Sequence, residues 1–142
     1  MEPRISLLTL GVEDLERSYR FYKEGLGLPT TWDLSKGVVF FRTHGARLAL
    51  YPRRNLAKDV SPSQSAERSG FPAFSLAHNV RTREEVDALL AQAERAGAQI
   101  AKPAQETDWG GYAGYFTDPD GFLWEVAYGA FPFTEDGSLD IP

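Results

Sequence analysis

Asp118-Pro119-Asp120-Gly121-Phe122-Leu123-Trp124-Glu125-Val126 reads as a tight turn feeding a strand that carries one carboxylate. Pro119 fixes φ, the Asp side chains bond local backbone, and Gly121 accepts a positive φ. The strand alternates. Leu123, Glu125 and Ala127 point one way; Phe122, Trp124, Val126 and Tyr128 point the other and form a core face. Glu125 therefore stands among apolar neighbours. A carboxylate so placed is paired, protonated or at work.

Working outward, the same pattern occurs twice. In the first half, residues 5–10 are apolar and strand-like. Asp14 caps a helix over residues 15–24 that Gly25 stops, and strands follow over residues 30–33, 37–43 and 47–51. In the second half a strand covers residues 74–78. Thr82-Arg83-Glu84-Glu85 is a capping box, and Val86, Leu89, Leu90 and Ala93 form the buried stripe of its helix. Strands over residues 99–102, 111–117 and 123–128 complete the copy. The fold class is α+β: two βαβββ modules forming an incomplete curved barrel with helices outside. The boundaries are module one at residues 4–52, a polar linker at 53–71, module two at 72–128, and a polar tail at 129–142. On the concave inner face the pattern places Ile5, Leu7, Thr9, Arg47, Ala49 and Tyr51 from the first half. Leu123, Glu125 and Ala127 come from the second.

Composition excludes several function classes. A length of 142 residues with 13% aromatic content suits one domain with a real core. The 15 Lys and Arg are scattered and the net charge is −5, which argues against nucleic acid. With no cysteine there is no disulfide, thiolate nucleophile or Cys metal site. No apolar run approaches a membrane span, and Met1-Glu2-Pro3-Arg4 does not open a signal peptide, so a cytoplasmic protein is expected.

Leu10-Gly11-Val12-Glu13-Asp14-Leu15-Glu16-Arg17-Ser18, with Phe21-Tyr22 and Leu26-Gly27, resembles the opening of the vicinal oxygen chelate superfamily. That superfamily includes glyoxalase I, extradiol dioxygenases, fosfomycin resistance enzymes and bleomycin resistance proteins. Asp118-Pro119-Asp120-Gly121 followed by Trp124-Glu125 resembles its closing motif, so the resemblance spans nearly the whole chain. It implies one metal ligand (His, Gln or Glu) on the first and last strand of each half. Here those positions fall at Leu7, Ala49, Phe74 or Ser75, and Glu125. A divalent cation needs at least about three oxygen or nitrogen donors, and only Glu125 is one. The resemblance thus implies the scaffold without its usual metal. It also implies a homodimer, for which the linker and tail are natural contact regions.

For Glu125 the functional reading is a general base or a polar anchor for a ligand; the bland one is a carboxylate neutralised by Arg47. His78 is read as capping a strand end or pointing into the cup, and His44 as a surface hairpin residue. A metal triad of His44, His78 and Glu125 has poor spacing. Trp109-Gly110-Gly111-Tyr112 sets paired glycines beside two aromatics, as in a loop that walls a pocket or covers the barrel mouth. Trp32, Phe40, Tyr51 and Tyr115 are candidate lining. The expected function is metal-independent binding of an apolar or aromatic small molecule between the modules. Trp109, Tyr112, Arg47, Tyr51, His78, Leu7 and Trp32 would bind the ligand, and Glu125 would serve as anchor or catalytic carboxylate. The alternative is an enzyme — lyase, isomerase or dioxygenase-like — using an unplaced metal or Glu125 as base.

Overall fold

The computed structural model describes residues 1–3, 5–129 and 131–141. Arg4, at the start of module one, and Ala130 and Pro142, in the tail, lie outside the described residues. The chain divides into two compact units, Met1–Gly70 and Phe71–Pro142. No helix among the described residues is long and apolar enough to cross a membrane.

In the first unit, β1 (Leu7–Val12) and β2 (Val39–Phe41) flank β3 (Arg47–Pro52). β1 runs parallel to β3 and β2 antiparallel to it. The register puts Leu8, Leu10, Leu48, Leu50, Val39 and Phe41 on one face. Against it packs α1 (Leu15–Arg20), capped by Asp14 and widened into a π-helical turn over Phe21–Gly25. That segment buries Ser18, Phe21 and Tyr22, with the Tyr22 ring 6.0 Å from Phe41. Thr9, Phe40 and Ala49 stand on the other face.

Two features differ from the expected module. Residues 30–33 form no strand. The Thr30 hydroxyl donates to the Phe40 carbonyl and accepts from the Trp32 N–H, and Asp33 caps a 3₁₀ turn over Leu34–Lys36. Side chains that bond nearby backbone compete with a sheet ladder, and here they win. The expected polar linker begins instead with α2 (Arg53–Val60). Its Leu56 lies over Gly11, where a Cβ would come within 3.2 Å of it. An Arg53–Glu13 ion pair ties it to the segment after β1, and its Asp59 carboxylate lies near enough to the Tyr51 phenol to disfavour the phenolate.

The second unit is the complete βαβββ copy. Its sheet runs β4 (Leu76–Val80), β7 (Leu123–Tyr128), β6 (Tyr112–Thr117), β5 (Gln99–Glu106), with β4 parallel to β7 and the rest antiparallel. The capping box forms as expected: the Thr82 hydroxyl accepts from the Glu85 N–H, and the Glu85 carboxylate accepts from the Thr82 N–H. It starts α3 (Arg83–Arg95), whose Val86, Leu90 and Ala93 are buried. Gly114 lets α3 approach β6, since a Cβ there would lie 2.6 Å from Leu90. Trp124 stacks on Phe116 at 6.1 Å. The turn between β6 and β7 is closed by Asp118, which is buried. Its Oδ1 accepts from the Asp120 and Phe122 N–H groups at 2.9 and 2.8 Å, and Gly121 takes φ +83°.

Candidate functional site

That turn sets the register of the last hairpin and thereby the site. Pairing Thr117 with Leu123 brings Tyr115 opposite Glu125. The Tyr115 hydroxyl donates to Glu125 Oε1 at 2.9 Å. Among the described residues no hydrogen bond engages Oε2. Burial first, and then the Glu125 carboxylate, push the Tyr115 phenol above its ordinary pKa, because both penalise the phenolate. One strand further, Lys102 pairs with Tyr115, so Lys102, Tyr115 and Glu125 form a row across three adjacent strands.

A pocket of about 200 Å³ lies over this row, and Trp109 and Asp108 line it too. Both belong to the loop between β5 and β6. Thr107 fastens that loop: its N–H donates to the Gly111 carbonyl and its hydroxyl accepts from the Gly111 N–H, each at 2.9 Å. Gly110 takes φ +88°, and the Trp109 ring occupies the space that a Gly111 side chain would need. The paired glycines let an aromatic fold back over the mouth of the pocket, as the pattern of that loop suggests.

Of the other expected site residues, Tyr112 and His78 of the second unit stand away from this pocket, and those of the first unit are described within their own unit. Arg47 is exposed on β3, where its Nη1 donates to the Thr43 carbonyl. Tyr112 is directed away from the pocket: its hydroxyl donates to Asp87 on α3 at 3.0 Å, and Arg83 lies over its ring. His78 pairs with Val126 and so shares the face opposite to Glu125. Crowding holds its imidazole below the ordinary pKa while Glu85 pulls the other way. His78 is exposed on β4, a surface group. His44 is exposed in the β2–β3 connection. Tyr51 faces α2, where burial and then Asp59 raise its phenol pKa. Trp32 packs edge-on against Phe40 at 4.8 Å, and Leu7 is exposed at the start of β1. Lys102 and Asp108 were not anticipated. Hairpin arithmetic around Asp118-Pro119-Asp120-Gly121 would have paired Tyr115 with Glu125. The register shifts in β5 on either side of Lys102 left no comparable signal there.

The register also tests the implied metal. In the first unit Ala49 faces Thr9 rather than Leu7. In the second, β4 starts only at Leu76, beyond Phe74 and Ser75, and Glu125 faces Ala77. Within neither unit does such a pair, Thr9 with Ala49 or Ala77 with Glu125, supply the three oxygen or nitrogen donors of a divalent site. No group of three or more His, Cys, Asp or Glu side chains suited to a metal ion occurs among the described residues.

Comparisons with known proteins agree with this architecture. The chain is 36% identical to a glyoxalase-related enzyme from Fulvimarina pelagi, with a TM-score of 0.87 over 98% of each chain. It is 30% identical over 128 residues to the metallothiol transferase FosB of Shouchella clausii (strain KSM-K16), covering 88% of this chain and 80% of that protein. An uncharacterised Bacillus subtilis (strain 168) protein, YraH, is 29% identical over 84% of this chain and 93% of its own length. The family model of the Glyoxalase/Bleomycin resistance protein/Dioxygenase superfamily matches residues 4–126, and the chain belongs to that superfamily.

Proposed function

We propose that the protein is a metal-independent small-molecule binder of the glyoxalase/bleomycin-resistance type, working in the cytoplasm as a homodimer. The observation that carries this reading is the Glu125 carboxylate, one oxygen held by Tyr115, in a pocket walled by Trp109. Convergent polar groups beside an aromatic wall are how small-ligand sites are built. Tyr115 fixes the carboxylate's orientation, and Trp109 supplies a flat apolar surface.

A second reading is favoured by Oε2. A carboxylate oriented by a neighbour and open on one oxygen can take a proton from a substrate, so Glu125 serves there as general base. The two readings separate on one substitution. Glu125→Gln keeps the shape and still accepts from Tyr115. A binder loses affinity only modestly; an acid–base enzyme loses turnover by about 10²–10⁴-fold.

The metal claim is tested by elemental analysis of protein purified without chelator or His tag, followed by a thermal-shift scan with divalent ions. We expect no stoichiometric ion and no shift. A resident ion at 100 times its Kd would stabilise the fold by about 2.7 kcal/mol, a change the scan reads easily. A stoichiometric ion would overturn metal independence.

A further inference from the structure

We infer that the Glu125 pocket takes a small monocation, a protonated amine carried a short chain away from a single aromatic ring. This rests on reading the pocket as the ligand site and goes on to name the ligand's chemistry.

Size comes first. At about 200 Å³ the pocket falls below the roughly 300–1,000 Å³ of drug-sized sites, so it holds one ring and a short arm. Charge comes next. Lys102, Glu106, Asp108 and Glu125 all line it. Glu106 is already neutralised by a two-point pair with Arg83. Of what remains, Lys102 offsets one of two carboxylates, which leaves one uncompensated negative charge. A single positive charge on the ligand completes the balance; a dication or an anion does not. Position comes last. Glu125 Oε2 is an acceptor without a donor in a half-buried place, so the ligand must bring an N–H to it. Trp109 offers a ring held by its fold over Gly111, which suits both stacking and a nearby ammonium.

The test is calorimetry with three probes that share one ring: phenethylamine, 2-phenylethanol and 3-phenylpropionate. Each is titrated at low salt into the full chain and into Glu125→Gln, with circular dichroism checking that the variant is folded. We expect the amine to bind about tenfold tighter than the alcohol, in line with one charge-assisted hydrogen bond, and the carboxylate to bind worst. In Glu125→Gln the amine-to-alcohol ratio should fall to about one. Equal binding of amine and alcohol to the native chain would overturn the charge assignment and leave the binding pocket standing. Tightest binding of the carboxylate would overturn it in favour of Lys102 as anchor. Absence of binding by every probe, with unchanged tryptophan fluorescence, would sink the pocket reading and this inference together.

Discussion

Gly111 shows how one missing side chain shapes the site. A Cβ there would meet the Trp109 ring and lie 2.5 Å from the Tyr128 carbonyl oxygen. Neither the strand backbone nor the loop has slack for it. Gly111→Ala should cost about 1–3 kcal/mol as an overpacked position and turn Trp109 out into water. Urea unfolding reads the first effect and a red-shifted tryptophan emission the second. An unchanged midpoint and spectrum would mean that the loop does not depend on this contact. Tyr115 gives a pH signature on the same scale. Its folded pKa is raised above the ordinary 10.0, chiefly by burial. The unfolded chain therefore loses this proton first as pH rises. The associated stability is fully present below about pH 10 and is lost as pH climbs through the folded value. Tyr112, raised chiefly by its hydrogen bond to Asp87, and Tyr51 act in the same sense. Tyr115→Phe, which cannot ionise, should show a shallower alkaline loss of stability than the native chain. Identical alkaline limbs would remove Tyr115 from the account.

At the scale of elements, legibility followed the strength of local signals. The second module was readable because it marks its own joints: a capping box at Thr82, a glycine at the end of α3, and a turn at Asp118 with a glycine at the left-handed position. The first module was less so. Residues 30–33 carry strand-forming Thr and Trp, yet Thr30 and Asp33 spend their side chains on local backbone. α2 has no side-chain cap and few large apolar residues, and its place is set by Leu56 meeting Gly11. Periodicity cannot reveal that tertiary contact. Likewise the parity of β7 marked Glu125, but its partner depended on register, which only the closed hairpin settles. Gly114 is where two elements of the readable module meet. A Cβ there would lie 2.6 Å from Leu90 and 2.9 Å from backbone atoms of Ala104 and Lys102. Gly114→Ala should destabilise the second unit by about 1–3 kcal/mol and loosen α3 from the sheet. Hydrogen exchange should localise faster opening to α3 and β5. Uniform exchange with native stability would show that α3 can shift without cost.

The whole molecule carries a net charge of −5, yet it leaves apolar side chains in the open. Ile5, Leu7 and Leu8 are 69%, 41% and 37% exposed at the start of β1. In its sheet β1 stands at the edge, hydrogen-bonded to β3 alone among the described residues. An apolar edge strand is a template for another chain unless charge, proline or a covering element blunts it. Pro3 lies before the strand and Arg47 is the cation beside Leu7 in register, a light guard for three exposed aliphatics. Burying such a patch against a second copy follows from the area term, since each aliphatic side chain removed from water contributes about 1.5–3 kcal/mol. Light scattering should therefore give the mass of two chains, about twice 15.8 kDa. Leu7→Lys combined with Leu8→Lys should return it to one chain, because a buried lysine pair facing its own symmetry mate is repelled as well as desolvated. Circular dichroism should remain native, since Leu7 stands on the face away from α1 and Leu8, on the α1 side, is already 37% exposed. A one-chain mass for the native protein would remove the dimer from the proposed function. A two-chain mass that survives both lysines would move the interface away from β1, to α2 or the tail.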